Sequence, residues 1–463
     1  MRNKVTWFLV GIFVLSLGLV SFGSELEEIQ KAIKEKEAKW IAGETSVSRM
    51  TPEEKKRLLG DLPAEKPKDL VSAPLSGAVL PDTFDWRDYQ GYNWMTSIKN
   101  QGSCGNCWAM AACGALEATT KITMNEPNKP LDFSEMFLTW CTGRGCELGW
   151  DQSSTLNYIK NNGVPDDNCL TQWGTACSDS CPDRYIRSVF ISSWGYDDFP
   201  DVETIKDRIM TYGPVTVHFE VFQDFDYYHS GVYKHVWGEY RGWHAVILVG
   251  WNQQDTCWIA KNSWGTDWGE AGGGQPGGWF RVRMMDNGVH IDEGDWYMIP
   301  DTASVHELIV KSPNGGEAWV AEEWYSANWL SPYFAGNINI EYSTNGGTSW
   351  NSINPNAYND GDESWLLPDL VSKHCRIRVS DYVDGDPSDI SNGDFIITKR
   401  GDVNKNGSIE LADVISLANY VLKGAPVPNP IILADVNCDG LYNLSDVITL
   451  ANYVLKGTSI AGC

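Results

Sequence analysis

A cysteine at the start of a predicted buried helix restricts what the central part of this chain can form. Cys107 stands six residues after Gln101, with mainly small residues between them, and the alanine-rich run 108–112 follows. Such a run is typical of a buried helix, so Cys107 would lie at the helix N-terminus, where the macrodipole favours a thiolate. Because the thiolate is the reactive form of cysteine, the pattern predicts a nucleophile. The alternative is that Cys107 is half of a disulfide or a buried core thiol.

Length and charge set the outer limits of the interpretation. The chain has 463 residues, which suggests roughly three domains. Its net charge of −25 disfavours nucleic acid and anionic membrane surfaces as partners.

Residues 1–23 have the pattern of a secretory signal. Arg2 and Lys4 precede an apolar run at 7–20, and Ser21-Phe22-Gly23 is a plausible cleavage site. A retained membrane anchor is the alternative. No later apolar run is long enough to cross a bilayer, so no membrane span is expected once the signal is removed. We therefore expect a secreted or extracellular protein with disulfides.

Residues 24–79 are highly charged and contain no cysteine. Residues 25–39 suit an amphipathic helix, and residues 66–81 read as an extended, proline-containing connector. The segment is either a disordered linker or a removable segment that covers a nearby site.

Residues 80–300 predict an α+β domain. Helix-like patterns come first, at 108–124, 153–161 and 202–212. Strand-like runs follow at 215–221, 244–251, 258–261 and 279–284. Nine cysteines fall in this region, and an odd number leaves at least one free if all pairing is internal: 104, 107, 113, 141, 146, 169, 177, 181 and 257.

Residues 304–398 predict an all-β sandwich, since short alternating runs are separated by glycine-containing turns. The region resembles the immunoglobulin-like or fibronectin-like spacer modules of secreted enzymes, so the favoured role is a spacer. Binding of carbohydrate or protein by exposed Trp324, Trp329 or Trp350 is the alternative, although such tryptophans are more often core residues.

Residues 400–463 contain an internal repeat with a 33-residue offset. The run 413–424 recurs at 446–457 with one change, Ser416 to Thr449. Each copy follows a loop with oxygen ligands at the positions an EF-hand-type calcium site uses. The first loop offers Asp402, Asn404, Asn406, the Ser408 carbonyl, Glu410 and Asp413. The second offers Asp435, Asn437, Asp439, the Leu441 carbonyl, Asn443 and Asp446. Two bound Ca²⁺ ions are expected.

A histidine and an asparagine far downstream complete the pattern around Cys107. His244 opens the apolar run 244–251, and Asn262 stands in Lys261-Asn262-Ser263-Trp264-Gly265. With Cys-Gly-Asn-Cys-Trp at 104–108, this order and local sequence resemble the papain-like cysteine peptidases over residues 80–300. The resemblance implies a two-lobed α+β peptidase, acting on a protein or peptide substrate with no cofactor for catalysis.

The same resemblance assigns roles to four residues. Cys107 would be the nucleophile, and His244 would pair with it and protonate the leaving amine. Asn262 would orient the imidazole, with Trp264 shielding that contact. Gln101 would donate its amide to the developing oxyanion.

The resemblance also implies the disulfides and the substrate site. Cys104 would pair with Cys146, and Cys141 with Cys177 or Cys181. Gly149 and Trp150 would form the substrate edge together with Trp264. By rough alignment the floor of the main pocket falls in residues 292–295, where the carboxylate of Asp295 would favour a basic or polar side chain. The alternative is that the carboxylates of this run belong to a solvated loop.

Residues 24–79 are similar to the short propeptide of the cathepsin B branch, which implies a zymogen activated by removal of that segment. The paired histidines of that branch's occluding loop have no counterpart, so we expect an endopeptidase. A non-catalytic scaffold-bound adhesion or binding protein that retains the fold is the alternative.

Residues 400–463 resemble dockerin domains, which have an Asp at position 12 of each loop and one helix after it. That resemblance implies a small all-α module that binds a cohesin-type scaffold partner. A calcium-stabilised cap without a partner is the alternative. Cys438 and Cys463 are expected to form a bridge that closes the module.

Overall fold

The computed structural model describes residues 21–63, 72–171, 175–182, 184–285, 288–334 and 336–460, with side chains from residue 25 onward. Two compact units make up the chain, Met1–Val305 and His306–Cys463. Residues 1–20 of the predicted signal lie outside the described residues. Within the described ranges, none of the helices combines the length and apolar character that crossing a bilayer requires.

The helices of the first unit include the four that apolar patterns predicted. They are α1 to α7: Ser21–Glu35, Pro52–Arg57, Cys107–Met124, Glu135–Cys141, Gln152–Asn162, Arg184–Arg187 and Val202–Tyr212. The seventh has the predicted bounds, and the third begins one residue earlier than predicted. The first ends at Glu35 rather than at 39, because residues from Lys39 onward pair as a strand.

The strands of this unit join in one sheet. They are β1 to β10: Lys39–Ala42, Thr83–Asp85, Phe190–Asp198, Val215–Phe222, Tyr228–Tyr233, Tyr240–Asn252, Cys257–Lys261, Glu270–Gly272, Gln275–Arg283 and Gly294–Asp301. Their order is β1-β5-β9-β7-β6-β4-β10-β3, with β2 on β6 and β8 on β9. Because β1 pairs with β5, the segment 24–79 contributes an edge strand to the sheet.

The helix α3 is the centre of this unit. Fourteen of its residues are buried, and it packs against α4, α5, β6 and β10. Asn125 ends it in the left-handed conformation, with its N–H on the Ile122 and Lys121 carbonyls. The contact with β6 brings the start of α3 beside Ala245, next to His244.

Three disulfides tie loops to this framework: Cys104–Cys146, Cys141–Cys177 and Cys169–Cys181. Of the two partners that the sequence left open for Cys141, the structure has Cys177. The expected pairing of Cys141 with Cys181 is therefore wrong, because Cys181 is bonded to Cys169. Cys107, Cys113, Cys257 and Cys375 are buried and free.

The second unit begins with strands β11 to β19: Ile309–Ser312, Ala318–Val320, Trp324–Leu330, Ile338–Ser343, Asn351–Ala357, Asp362–Leu366, Ser372–Asp381, Ser388–Ile390 and Phe395–Thr398. One sheet has the order β11-β13-β16 and the other β12-β19-β17-β14-β15, with β18 on β17. Both contribute to one hydrophobic core, for example Val310 and Trp329 with Ile340 and Ile377. The region is thus sheet-rich, and its likeness to an immunoglobulin module stays a prediction.

Two helices follow at matching positions of the internal repeat, α8 (Leu411–Lys423) and α9 (Leu444–Lys456). They pack together around Leu417, Val447 and Leu450. Gly424 and Gly457 end them in the left-handed conformation. The predicted partner of Cys438, Cys463, lies outside the described residues.

Candidate active site

Cys107 is the first residue of α3 and is completely buried. The backbone N–H of Gly60, from the segment 24–79, lies 3.4 Å from its Sγ. Burial, and then the charge of Asp61, raise the pKa of the Cys107 thiol to about 12. The sequence predicted a thiolate here. The structure differs because the segment 24–79, called the covering segment below, lies over the helix N-terminus and excludes water from it.

His244 lies on β6, Asn262 directly follows β7, and their side chains are in contact. The distance from His244 Nε2 to Asn262 Oδ1 is 2.8 Å. The Trp264 ring lies over the imidazole, with 4.9 Å between ring centroids. Burial lowers the pKa of His244 to about 4, although the bond to Asn262 opposes this change. His244 Nδ1 has no hydrogen-bond partner among the described residues.

Gln101 is held so that its amide NH₂ points toward the covering segment. The space that this segment fills beside Cys107 is called the cleft below. Its Oε1 accepts a hydrogen bond of 2.8 Å from Ser263 Oγ, which fixes the orientation of the amide. Its Nε2 donates to the carbonyls of Cys104, at 2.7 Å, and Leu58, at 3.1 Å. A peptide carbonyl of the segment 24–79 therefore occupies the position that the sequence predicted for an oxyanion.

The segment lies along the predicted substrate edge. The Trp150 N–H donates to the Gly60 carbonyl at 3.0 Å, and the Leu62 N–H donates to the Trp150 carbonyl at 3.1 Å. Gly149 has φ +62°, and a Cβ there would lie 2.3 Å from the Gly60 carbonyl oxygen. Glycine is thus required by the close approach of the two backbones.

Asp295 is not where the sequence predicted it. It is completely buried, and its charge interacts with Asp197 and Arg208. In the register of β10 it pairs with Val217 and Asp197, whereas the next residue, Trp296, packs on His218. Since side chains alternate along a strand, Asp295 faces away from the surface that carries His218. The covering segment lies against that surface, where Asp61 contacts His218. Asp295 therefore cannot provide the predicted acidic floor there.

Sequence reasoning missed two residues close to the cleft, Asp61 and His218. Asp61 Oδ2 lies 3.5 Å from His218 Nδ1, and the carboxylate is buried. The available signal was a histidine in the otherwise apolar run 215–219, but isolated histidines of this kind have many structural explanations.

The C-terminal loops have the backbone arrangement that a calcium loop needs. In the first, Asp402 accepts hydrogen bonds from the N–H groups of Asn406 and Gly407. In the second, Asp435 accepts from Asp439 and Gly440 in the same way. Position 12 of each loop, Asp413 or Asp446, is completely buried. Burial of carboxylates that share a loop favours a bound cation, so these residues fit Ca²⁺.

Comparison with known families and proteins identifies two parts of the chain. Residues 80–298 match the papain family of cysteine proteases, and residues 400–455 match the dockerin type I domain. Cathepsin B-like cysteine proteinase 5 of Caenorhabditis elegans is 31% identical over 307 residues, which cover 57% of this chain and 87% of that protein. Cathepsin B-like CP3 of Giardia intestinalis is 30% identical over 242 residues, covering 49% of this chain and 78% of that protein.

Solved structures share the fold of the first unit together with its N-terminal segment. Procathepsin B S9 from Trypanosoma congolense aligns over 60% of this chain and 98% of its own, with a TM-score of 0.52 and 24% identity. A digestive procathepsin L2 from the larval midgut of Tenebrio molitor aligns over 60% of this chain and 90% of its own, with a TM-score of 0.50 and 26% identity. The chain therefore belongs to the papain family of cysteine proteases, has cathepsin B-like relatives, and carries a dockerin domain.

Proposed function

We propose that this protein is a secreted endopeptidase made as a zymogen, and that removal of residues 24–79 activates it. One observation carries the proposal. A peptide backbone lies in the cleft, with its Leu58 carbonyl on Gln101 Nε2 and its Gly60 N–H on Cys107 Sγ. The groups that a scissile peptide would need are therefore already engaged by the covering segment, which acts as a built-in inhibitor.

After removal of the segment, the chemistry follows from the residues of the cleft. The Cys107 thiolate attacks the scissile carbonyl carbon, and the oxyanion takes hydrogen bonds from Gln101 and from the Cys107 N–H. The C–N bond then breaks as His244 gives its proton to the leaving amine. Water, deprotonated by His244, attacks the thioester and releases the carboxylic acid with regeneration of the thiol. Asn262 holds Nε2, so Nδ1 is left to face the reaction.

An irreversible thiol-directed peptidyl label tests these roles. The processed protein should be modified at Cys107 and should hydrolyse peptides. The His244→Ala variant should lose both properties, because nothing then accepts the thiol proton. His229→Ala, at an exposed histidine of β5, is the matched control and should keep both. A processed protein that is neither labelled nor active would instead support a non-catalytic binding protein.

We also propose that the C-terminal module binds two Ca²⁺ ions and docks the enzyme on an extracellular scaffold through a cohesin-type partner. The buried aspartates and loop N–H bonds described above support the metal sites. Matching apolar side chains of the two helices, about half exposed or more, support a docking surface: Leu411 and Leu444, Ile415 and Ile448, Leu422 and Leu455. Calcium would supply the positive charge that holds each loop closed.

A further inference from the structure

An aspartate side chain of the covering segment lies in a nearly closed pocket beside the nucleophile. Asp61 is 4% exposed and forms a parallel bridge with Trp150. The two hydrogen bonds that flank this bridge, at Gly60 and Leu62, fix the direction of its side chain. The charge of Asp61 is also felt by the Cys107 thiol, whose pKa it helps to raise. Because the N–H of the preceding residue, Gly60, lies 3.4 Å from Cys107 Sγ, the pocket is close to the reacting sulfur.

The wall of this pocket is built around one histidine. His218 Nδ1 lies 3.5 Å from Asp61 Oδ2, and its side chain is 14% exposed. Two tryptophan rings hold the imidazole in place, Trp243 at 4.8 Å and Trp296 at 5.2 Å between centroids. In the sheet, His218 pairs with Ala245, the neighbour of His244. His218 is therefore a fixed imidazole on β4, the strand that pairs with the part of β6 carrying His244.

The pocket places a carboxylate beside an imidazole, with 3.5 Å between Asp61 Oδ2 and His218 Nδ1. Burial of an unpaired carboxylate among aromatic rings is costly, and it raises the pKa of Asp61. The His218 and Gln152 side chains oppose this shift, whereas the charge of Asp151 adds to it. His218 Nδ1 is thus the side-chain nitrogen that the described contacts place beside the carboxylate. Asp295, which would have favoured a basic side chain, faces the other side of β10.

We propose that His218 determines specificity and that its pocket takes a carboxylate side chain, Asp or Glu, of the substrate. The proposal rests on the proposed function, because the pocket becomes available to substrate only when residues 24–79 are removed. In the zymogen, Asp61 occupies the pocket that a substrate side chain would occupy in the processed enzyme.

Positional scanning with fluorogenic tetrapeptides tests the assignment on the processed enzyme. At one position before the scissile bond, Glu should be preferred over its neutral isostere Gln by about tenfold or more in kcat/KM, the range for a hydrogen bond to a charged group. His218→Ala should remove this preference, so that the Glu and Gln peptides have about equal kcat/KM. His218→Gln, a smaller structural change, should also reduce it. His229→Ala should retain it.

The outcomes separate the two proposals. A processed enzyme that hydrolyses no peptide contradicts the proposed function itself. Hydrolysis with Gln equal to or better than Glu at every position, or with a preference for Arg and Lys, overturns only the role of His218. An acidic preference that survives in His218→Ala would also overturn the role of His218. Titration of each variant with the thiol-directed label counts competent sites, so loss of folding is not mistaken for loss of specificity.

Discussion

Cys107 and His244 are both neutral at pH 7 while residues 58–62 cover them. Burial raises the pKa of Cys107 to about 12 and lowers the pKa of His244 to about 4. Between these values the thiol keeps its proton and the imidazole has none. Alkylation of zymogen Cys107 by iodoacetamide should therefore be slow at pH 7 and rise about tenfold per pH unit toward pH 12.

Removal of the segment takes away the charge of Asp61 and uncovers the side of the thiol that Gly60 contacts, so the pKa of Cys107 should fall. The processed enzyme should therefore react quickly at pH 6 to 7, with little further increase. Peptide mass spectrometry separates Cys107 from the buried thiols Cys113, Cys257 and Cys375. Equal rates for the two forms at pH 6 would show that the segment does not control ionisation.

Local sequence predicted some residues of the cleft and not others. Cys107, His244, Asn262 and Gln101 stand in short distinctive runs. The structure joins His244 to Asn262 and Gln101 to Ser263, the residue after Asn262, and the catalytic roles of the four stay predictions. The position of Asp295 could not be predicted because it depends on strand register, and one residue changes the face that a side chain occupies. Asp61 and His218 are 157 positions apart in the numbering and become neighbours only through the fold.

At the scale of elements, the covering segment depends on one glycine. A Cβ on Gly60 would lie 1.8 Å from the Gly105 carbonyl oxygen, which is a backbone atom. Gly60→Ala must therefore move the segment away and weaken its hydrogen bonds to Cys107 and Trp150. Two such bonds contribute roughly 2 kcal/mol, so the open zymogen should become about 30-fold more populated. The measurement is the rate at which the peptidyl label modifies the unprocessed protein.

Gly43→Ala is the matched control, because its Cβ would meet the His229 side chain at 3.5 Å, an ordinary contact. Its zymogen should label as slowly as the original. Gly60→Ala should not affect the processed enzyme, which lacks the residue. A Gly60→Ala zymogen that remains as resistant as the original would mean that the segment accommodates the methyl group without opening.

Elements with a strong local pattern were predictable, and elements defined by distant pairing were not. The bounds of α7 follow from its periodicity, and β4 and β7 extend the predicted runs by one residue each. By contrast, β1 is only four residues long and is a strand because it pairs with β5, almost 190 residues later. The choice between Cys177 and Cys181 likewise depended on how the loop after α4 closes.

At the scale of the whole molecule, the two compact units correspond to different parts of the proposed function. Catalysis would belong to Met1–Val305, and calcium-dependent docking to the end of His306–Cys463. Within the second unit, Asp402 also accepts a hydrogen bond from Thr398 at the end of β19. Calcium bound at the first loop would therefore stabilise the connection between that loop and the sheet.

Substitution of both first ligands, Asp402→Ala with Asp435→Ala, tests this division. Each calcium site should add about 2.7 kcal/mol to the free energy of unfolding when calcium is at 100 times its Kd. The variant should lose the calcium-dependent rise in Tm of the second unit, measured by calorimetry with and without chelator, and should keep peptidase activity after processing. Asp384→Ala, at an exposed turn, should retain the rise. Loss of calcium stabilisation and activity together would mean that the units do not act independently.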